Sequence, residues 1–423
     1  MFTNGYGERV SIDTIYNIKM NILHYIILLS LSLSTVVKSF NVGIIGSGPA
    51  GALAAISMAK LGHTVNIFEQ KSIVKEDESC PCGVTHEYNH KESRNYNIVL
   101  NKRGTDALDR FGVKYSDKCV YIEQVMTHKN GDVHQTPSLE TISISRSDLV
   151  DCIKDAAKDL DITFHHSKLI TVDFDSRIAY LENKNHYYDL LIGADGANSK
   201  VRSELRSSHK DFEYDEIFDD RIFKTFDVTK ENLEKFKGYD ENWGKSFHVF
   251  QSHDSELICP PSIDGGLTVS YVTKKEFKME QFPEFKLGEV QEEAFKHKSP
   301  RTCKSVYTTH AGIDNVILVG DACHASLPSL GQGCTAALED IVYLDACFSA
   351  KKSPSVEEIV TSYNNIRLGD SHAVTKLSEI GFGNSDRSNR GNVHSAMKYI
   401  GKPDISYSEI LDIIEGKSEI PEV

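Results

Sequence analysis

Three glycine-bearing turns carry the residues of this chain best suited to chemistry. The first is Gly46-Ser47-Gly48-Pro49-Ala50-Gly51, between the apolar run FNVGII (40–45) and the helix-forming run ALAAISMAKLG. A second apolar run, TVNIFE, ends at Glu69 and is followed by Gln70. Strand, glycine turn, helix and strand within about thirty residues form the full context of a dinucleotide-binding loop. Gly46 permits the tight turn, Gly48 lets the backbone approach a pyrophosphate, and Gly51 lets the helix pack close. The helix N-terminus then offers free N–H groups and the positive end of its dipole to phosphate. Glu69 is placed to accept hydrogen bonds from ribose hydroxyls. An acid there disfavours a 2′-phosphate, so the loop predicts FAD or NAD rather than NADP.

The second turn is Asp195-Gly196, in DLLIGADGANSKVR (189–202). The third lies in DNVILVGDACHASLPSLGQGCTAALEDI (314–341), where a strand ends at Gly320-Asp321 and Pro328 stiffens a loop. Gly331-Gln332-Gly333 then opens a helix near Cys334. Asp321 is placed to bind a ribityl hydroxyl, and the helix N-terminus after Gly333 to stabilise negative charge on a reduced isoalloxazine. The plainer reading is two strand-to-loop turns closed by an N-capping Asp. His324 and Glu339 flank the third turn, and a purely structural role fits them equally well.

With these three motifs in this order, the chain resembles the FAD-dependent aromatic hydroxylases, the single-component flavoprotein monooxygenases of the p-hydroxybenzoate hydroxylase type. The resemblance covers most of residues 40–380. Within that family it is most similar to the kynurenine 3-monooxygenases, through RNYNIVLNKRGTDALDRFG (94–112), ISISRSDL (142–149), FEYDE (212–216) and RLGDSHAVTKLSE (367–379). The resemblance implies bound FAD, NAD(P)H as co-substrate, O₂, and a small aromatic substrate hydroxylated through oxygen activation at flavin C4a. It also adds Arg146, Leu169, Cys334 and Thr335 to the FAD contacts. No protein nucleophile or acid–base pair is required, so no catalytic residue is assigned.

Kynurenine hydroxylases hold the substrate carboxylate with an arginine on a strand of the second domain. The matching strand here is VYIEQVMTHKNG (120–131), with Gln124 at the arginine's position. A neutral amide cannot supply a bidentate charged clamp, so L-kynurenine is not the expected substrate. His248 and Phe250 share a strand face by the period of two, and with Gln124 and Pro328 they are the candidate pocket residues; ordinary sheet core is the competing reading for the pair. Two other functions stay open on the same scaffold: a reductase or dehydrogenase of the geranylgeranyl-reductase kind, and a non-catalytic flavin-binding protein. A halogenase is disfavoured, because Trp243 is the only tryptophan.

The fold class that must position these residues is α/β: a Rossmann-like, GR2-type FAD-binding domain with a parallel βαβ sheet. The FAD domain spans 40–350 in pieces of roughly 40–115, 145–205 and 305–350. Strand-rich insertions at about 116–144 and 206–304 form a substrate-binding sheet, and 351–423 is a C-terminal helical region.

With 423 residues, 40% apolar and 26% charged, the chain is globular and long enough for two or three domains. Its 47 basic and 61 acidic residues give a charge of −14, which makes nucleic acid a poor partner. Residues 1–39 form an N-terminal extension, in which 20–37, MNILHYIILLSLSLSTVV, carry no charge. That segment is a signal-peptide core, a short membrane anchor, or a buried helix or strand; translation from Met20 would favour the first. Nine cysteines, with Cys323, Cys334 and Cys347 in cofactor segments, and no glycosylation sequon favour a reducing compartment. Cys80 and Cys82 are too close for the usual zinc spacing. The expectation is a membrane-associated protein with a cytosolic body, or a cytoplasmic one; the oligomeric state is open.

Overall fold

The computed structural model describes residues 2, 3, 9, 10, 39–70, 96–236, 239–252, 255–283, 285, 292, 295, 296, 299–382 and 398–418. Residues 20–37, Cys80, Cys82 and 383–397 lie outside them. Two units divide the chain, 1–39 and 40–423. In the first, Phe2–Thr3 and Arg9–Val10 pair antiparallel. Among the described residues no helix is long and apolar enough to cross a membrane; the segment expected to do so is not among them.

The second unit is built on two sheets. In the first, the strand Asn41–Ile45 lies between Leu190–Gly193 and Thr64–Glu69, with Val316–Leu318 and Ile162–His166 outside them, all parallel. Gly312–Ile313 closes one edge antiparallel. Val42, Ile44, Leu190, Leu191, Ile192 and Ile317 are fully buried, which is why these strands read as unbroken apolar runs. A parallel sheet covered on both faces requires that composition. A three-stranded meander, Leu169–Asp173, Ile178–Leu181 and Asn185–Tyr187, sets His186 against Phe68.

The second sheet has eight strands, in the order Arg301–Thr308, Tyr214–Val228, Leu267–Thr273, Ser255–Cys259, Ser246–Gln251, Cys119–Lys129, Asp132–Ser145 and Asn97–Leu100. The two insertions read from sequence meet in it, where Ser246–Gln251 runs parallel to Cys119–Lys129. Its outer strands come from further away than the sequence suggested: Asn97–Leu100 was placed in the first flavin piece, yet it pairs with Asp132–Ser145. One face is sealed by an aromatic cluster of Phe226, Trp243, Phe250, Tyr271, Phe282, Phe285 and Phe295. Segments that leave the sheet after Val228 and Thr273 supply four of those rings.

Two long helices complete the unit. Gly333–Ser349 packs on Pro49–Lys60, and Val356–Gly381 packs on Gly333–Ser349 and on the terminal helix Tyr407–Ile414. Ser355 and Ser406 start the last two with full capping boxes, through Glu358 and Glu409.

Candidate flavin site

Helix starts locate the site. Asn101, Ser145, Ser199, Ser355 and Ser406 cap the helices that follow them by accepting a backbone N–H. Among described helices of eight or more residues, only Pro49–Lys60 and Gly333–Ser349 have no side-chain cap. These are the two helices whose N-termini the sequence aims at a pyrophosphate and at a flavin edge. Uncapped first-turn N–H groups are left for a ligand to satisfy.

The glycine turn before the first helix leaves no room for side chains inside it. A Cβ on Gly51 would lie 2.0 Å from the Gly46 carbonyl oxygen, and one on Gly46 would lie 2.4 Å from the oxygen of Ala194. Gly46 also has φ +100°, a conformation open to glycine. Gly48 differs: a Cβ there would meet only the Arg146 guanidinium, at 3.6 Å. Its open side faces the cleft, beside Pro49 and Ala50 in the first helical turn. Glu69, at the end of its strand, accepts from the Ser47 N–H (3.0 Å) and hydroxyl (3.1 Å), which ties the acid to the loop. Gln70 follows it, exposed.

Four further side chains gather at this cleft. Arg146 is half-buried, and no described residue accepts a hydrogen bond from its guanidinium. Asp321 is exposed on the cleft side, and its carboxylate takes no hydrogen bond from a described residue. The surrounding protein withholds enough water to push its carboxyl pKa up, while His324 and Arg146 pull it back. Cys334 is half-buried, and burial pushes its thiol up to about 12, with Asp321 adding to the rise, so it is a neutral packing group. Tyr96, which the sequence reading did not single out, is 39% exposed. Its phenol pKa is raised by desolvation and by Asp321, and lowered by Arg146. An aromatic residue just ahead of Asn97–Leu100 was the available signal.

Several expected contacts turn out to hold the protein together. Asp195 accepts from the Ser199 hydroxyl (2.6 Å) and the N–H groups of Lys200 (2.7 Å) and Val201 (3.2 Å), so its carboxylate is spent on the helix Lys200–Ser208. Gly196 beside it has φ +81°. Gln332 is buried; its amide oxygen accepts from Asn101 (2.9 Å) and Tyr407 (3.3 Å), and its NH₂ donates to the Leu330 carbonyl (2.9 Å). The Gly331–Gly333 turn therefore meets the cleft through its backbone. Thr335 packs against Gly104 and Leu169 lies in the apolar core, so both side chains are buried. Gly320, at φ +57°, gives its N–H to Asp340, which also bonds His324. Glu339 pairs with Arg103 (3.1 Å). His324 and Glu339 are thus structural.

The substrate candidates need a correction. Cα pairing slips between Ile122–Thr141 and Gln124–Pro137, where residues 138–140 stand opposite Glu123 alone. Past that bulge Gln124 shares a face with Met126 and His128 and donates to the Ser246 hydroxyl (3.0 Å). His248 and Phe250 lie on the same face, fully buried in the aromatic cluster. The segments after Val228 and Thr273 cover that face, over His248 and Phe250. The opposite face, carrying Phe223, Thr225, Val249, Glu256, Ile258 and Ser270, is half-buried. Beside it Arg221 donates to the Phe382 carbonyl (2.7 Å), at the end of the helix that pins Leu327 and Ser329 through Ser378. Pro328 is exposed between those two anchors. A separate open pocket of about 480 Å³, beside His372 and Leu411, shares no cofactor-loop residue.

An FAD group fits these residues: two helix N-termini without a side-chain cap, a guanidinium and a carboxylate without a partner among the described residues, and a glycine open on one side. Comparisons agree. The FAD binding domain family matches residues 156–378. The kynurenine 3-monooxygenase of Flavobacterium johnsoniae is 25% identical over 376 residues, covering 80% of this chain and 79% of its own. That of Phaeosphaeria nodorum is 26% identical over 379 residues, covering 79% of this chain and 75% of its own. Among solved structures, the tetrameric form of 2-methyl-3-hydroxypyridine-5-carboxylic acid oxygenase superposes with a TM-score of 0.69 at 21% identity, over 86% of this chain and 96% of that one. HpxO of Klebsiella pneumoniae, solved with FAD, gives 0.64 at 15%, over 89% and 98%. These two likenesses show a shared fold. The chain belongs to the FAD binding domain family, among the FAD-dependent monooxygenases of the aromatic hydroxylase kind.

Proposed function

We propose that this protein hydroxylates a small aromatic compound with bound FAD, NAD(P)H as reductant and O₂ as oxidant. The observation that carries the reading is that the only two uncapped long helices among those described meet the same cleft as Arg146 and Asp321, which have no partner among the described residues. Gly46, Gly48 and the first turn from Pro49 would hold the pyrophosphate with Arg146, and Glu69 the adenosine ribose. Asp321 would take the ribityl chain, and the backbone of Gly331–Gly333 the flavin edge. When bound, the flavin supplies the redox and oxygen chemistry. The protein's own part is to place the aromatic ring beneath the open face of the eight-stranded sheet and keep water away from it.

L-kynurenine, on which the named relatives act, is not the substrate we favour. The strand Cys119–Lys129 presents no arginine to the open face; Val125 and Thr127 occupy it. The test is to purify the protein, identify its bound flavin, and follow NAD(P)H consumption with a phenol panel and kynurenine while quantifying hydroxylated product. Bound FAD with substrate-stimulated oxidation and product is the expected result. Absence of flavin, or oxidation that never yields product, would sink the proposal.

A further inference from the structure

On the open face of the eight-stranded sheet, one carboxylate stands out. Along Ser255–Cys259 burial alternates, with Ser255, Leu257 and Cys259 inside and Glu256 and Ile258 on the half-buried face. Glu256 lies between Gln251 and Val272 in the cross-strand pairing, and Phe223 follows Val272 in the same row. No described residue donates a hydrogen bond to its carboxylate or pairs with it. Arg221 is the nearest candidate partner, but its guanidinium is committed to Asp219 (3.0 and 2.7 Å) and to the Phe382 carbonyl (2.7 Å). Lys129 is exposed and sits beside the turn to Asp132. Burial pushes the Glu256 carboxyl pKa up, and Arg221 and Lys129 restrain the rise from a distance. A half-buried carboxylate without a partner costs stability unless a ligand supplies one.

We infer that Glu256 is a specificity-determining residue, and that the substrate is an aromatic compound presenting a cationic or hydrogen-bond-donating nitrogen to this face. The inference rests on the hydroxylase reading above and deepens it. Gln124 shares the covered face with Met126 and His128, so the carboxylate that the open face offers a ligand is Glu256; the Arg301 cation of the same row stands three strands away, opposite Phe223. An ammonium gains a charge-assisted hydrogen bond at Glu256. A neutral isostere leaves Glu256 desolvated and unpaired, and a carboxylate adds like-charge repulsion.

The test uses three phenols of one shape: tyramine, 4-propylphenol and 3-(4-hydroxyphenyl)propionate. Each is titrated into the FAD-loaded protein by its perturbation of flavin absorbance, without reductant, and then assayed for NAD(P)H-coupled turnover. Tyramine is expected to bind at least about tenfold more tightly than the neutral phenol, with the carboxylate weakest. In Glu256→Gln and Glu256→Met that preference should fall to about twofold or less, with FAD affinity unchanged. Equal binding of the three by the native protein, or a preference that survives both substitutions, overturns the role of Glu256. Failure to hold FAD at all overturns the hydroxylase reading instead, so the two failures are distinguishable.

Discussion

His128 and His248 stack ring against ring in the eight-stranded sheet, with Nε2 of the first 3.0 Å from Nδ1 of the second. That contact requires one ring to donate and the other to accept, so at most one of them can carry a charge. Burial lowers the pKa of His128 to about 4, and burial together with His128 lowers that of His248 to about 3. Both folded values lie below the unfolded one. Above pH 6.5 the pair is silent; between 6.5 and about 4 the unfolded chain binds protons that the folded one refuses, and stability falls. The loss should reach on the order of 2 kcal/mol per ring by pH 4. Urea midpoints at pH 7.5 and 4.5 measure it, and a His128→Leu/His248→Leu double variant should show a shallower pH slope. An equal slope in the variant refutes the account.

That histidine pair also marks where the sequence was legible. The period of two put His248 and Phe250 on one face, but could not say which face was sealed. Sealing depends on Trp243, Phe282, Phe285 and Phe295, which arrive from irregular segments with no periodic signal. Gln124 was misjudged for a related reason. A bulge at 138–140 in the partner strand sets its register, and a bulge cannot be read from the strand that faces it. The flavin loops were legible because glycine spacing and flanking apolar runs are local. Asp195 and Asp321 occupy similar strand-end motifs, yet Asp195 caps a helix and Asp321 stays open; the difference lies in Ser199 and the turn after it.

Those two aspartates should respond oppositely to removal. Asp195→Ala leaves the first N–H groups of Lys200–Ser208 without their acceptor and should lower folding stability by about 1–2 kcal/mol. Asp321→Ala removes a desolvated carboxylate that has no partner among the described residues. The apo protein should keep or gain thermal stability while FAD affinity drops by an order of magnitude or more, on the order of 1.4 kcal/mol. Thermal melts paired with flavin-fluorescence titrations separate the two. An Asp321→Ala protein that melts early yet binds FAD normally contradicts the assignment.

Gly48 and Gly51 make a second contrast within one turn. Alanine at 51 places its Cβ 2.0 Å from the Gly46 oxygen, so the backbone must move and the fold itself should suffer. Alanine at 48 meets only Arg146 at 3.6 Å, so folding should be near normal. Its methyl group would nevertheless occupy the side of the loop open to a pyrophosphate. The expected outcome is an apo melting temperature close to native for Gly48→Ala, with FAD binding weakened at least about tenfold. Native FAD affinity in that variant would place the phosphates elsewhere.

Asp340 gives the strongest stability prediction, because it joins the Gly320–Asp321 turn to the C-terminal helices. Oδ2 accepts from the Gly320 N–H and from His324 Nε2, both at 2.7 Å. Oδ1 accepts from Arg367 Nε (3.0 Å) and Nη2 (2.7 Å), and all three side chains are buried. Burial alone would raise the Asp340 pKa, but His324 and Arg367 outweigh it and hold it below the ordinary carboxylate value. Its contribution is therefore complete above the unfolded carboxylate pKa, near pH 4, and is lost only below it, outside the window in which the histidine pair acts. Asp340→Asn keeps the size, yet turns one accepting atom into a donor and leaves Arg367 buried with only its longer contact to Asp370 (3.4 Å). The cost should be about 3–5 kcal/mol. Adding Arg367→Met to Asp340→Asn removes that buried charge, so the double variant should be more stable than Asp340→Asn alone. Because the amide is uncharged and offers one accepting oxygen in place of two, the Gly320 turn is held less firmly in both, and FAD affinity should stay weakened even where stability recovers. Recovery of stability and FAD affinity together would mean that Asp340 acts on the fold alone and does not set the Asp321 turn.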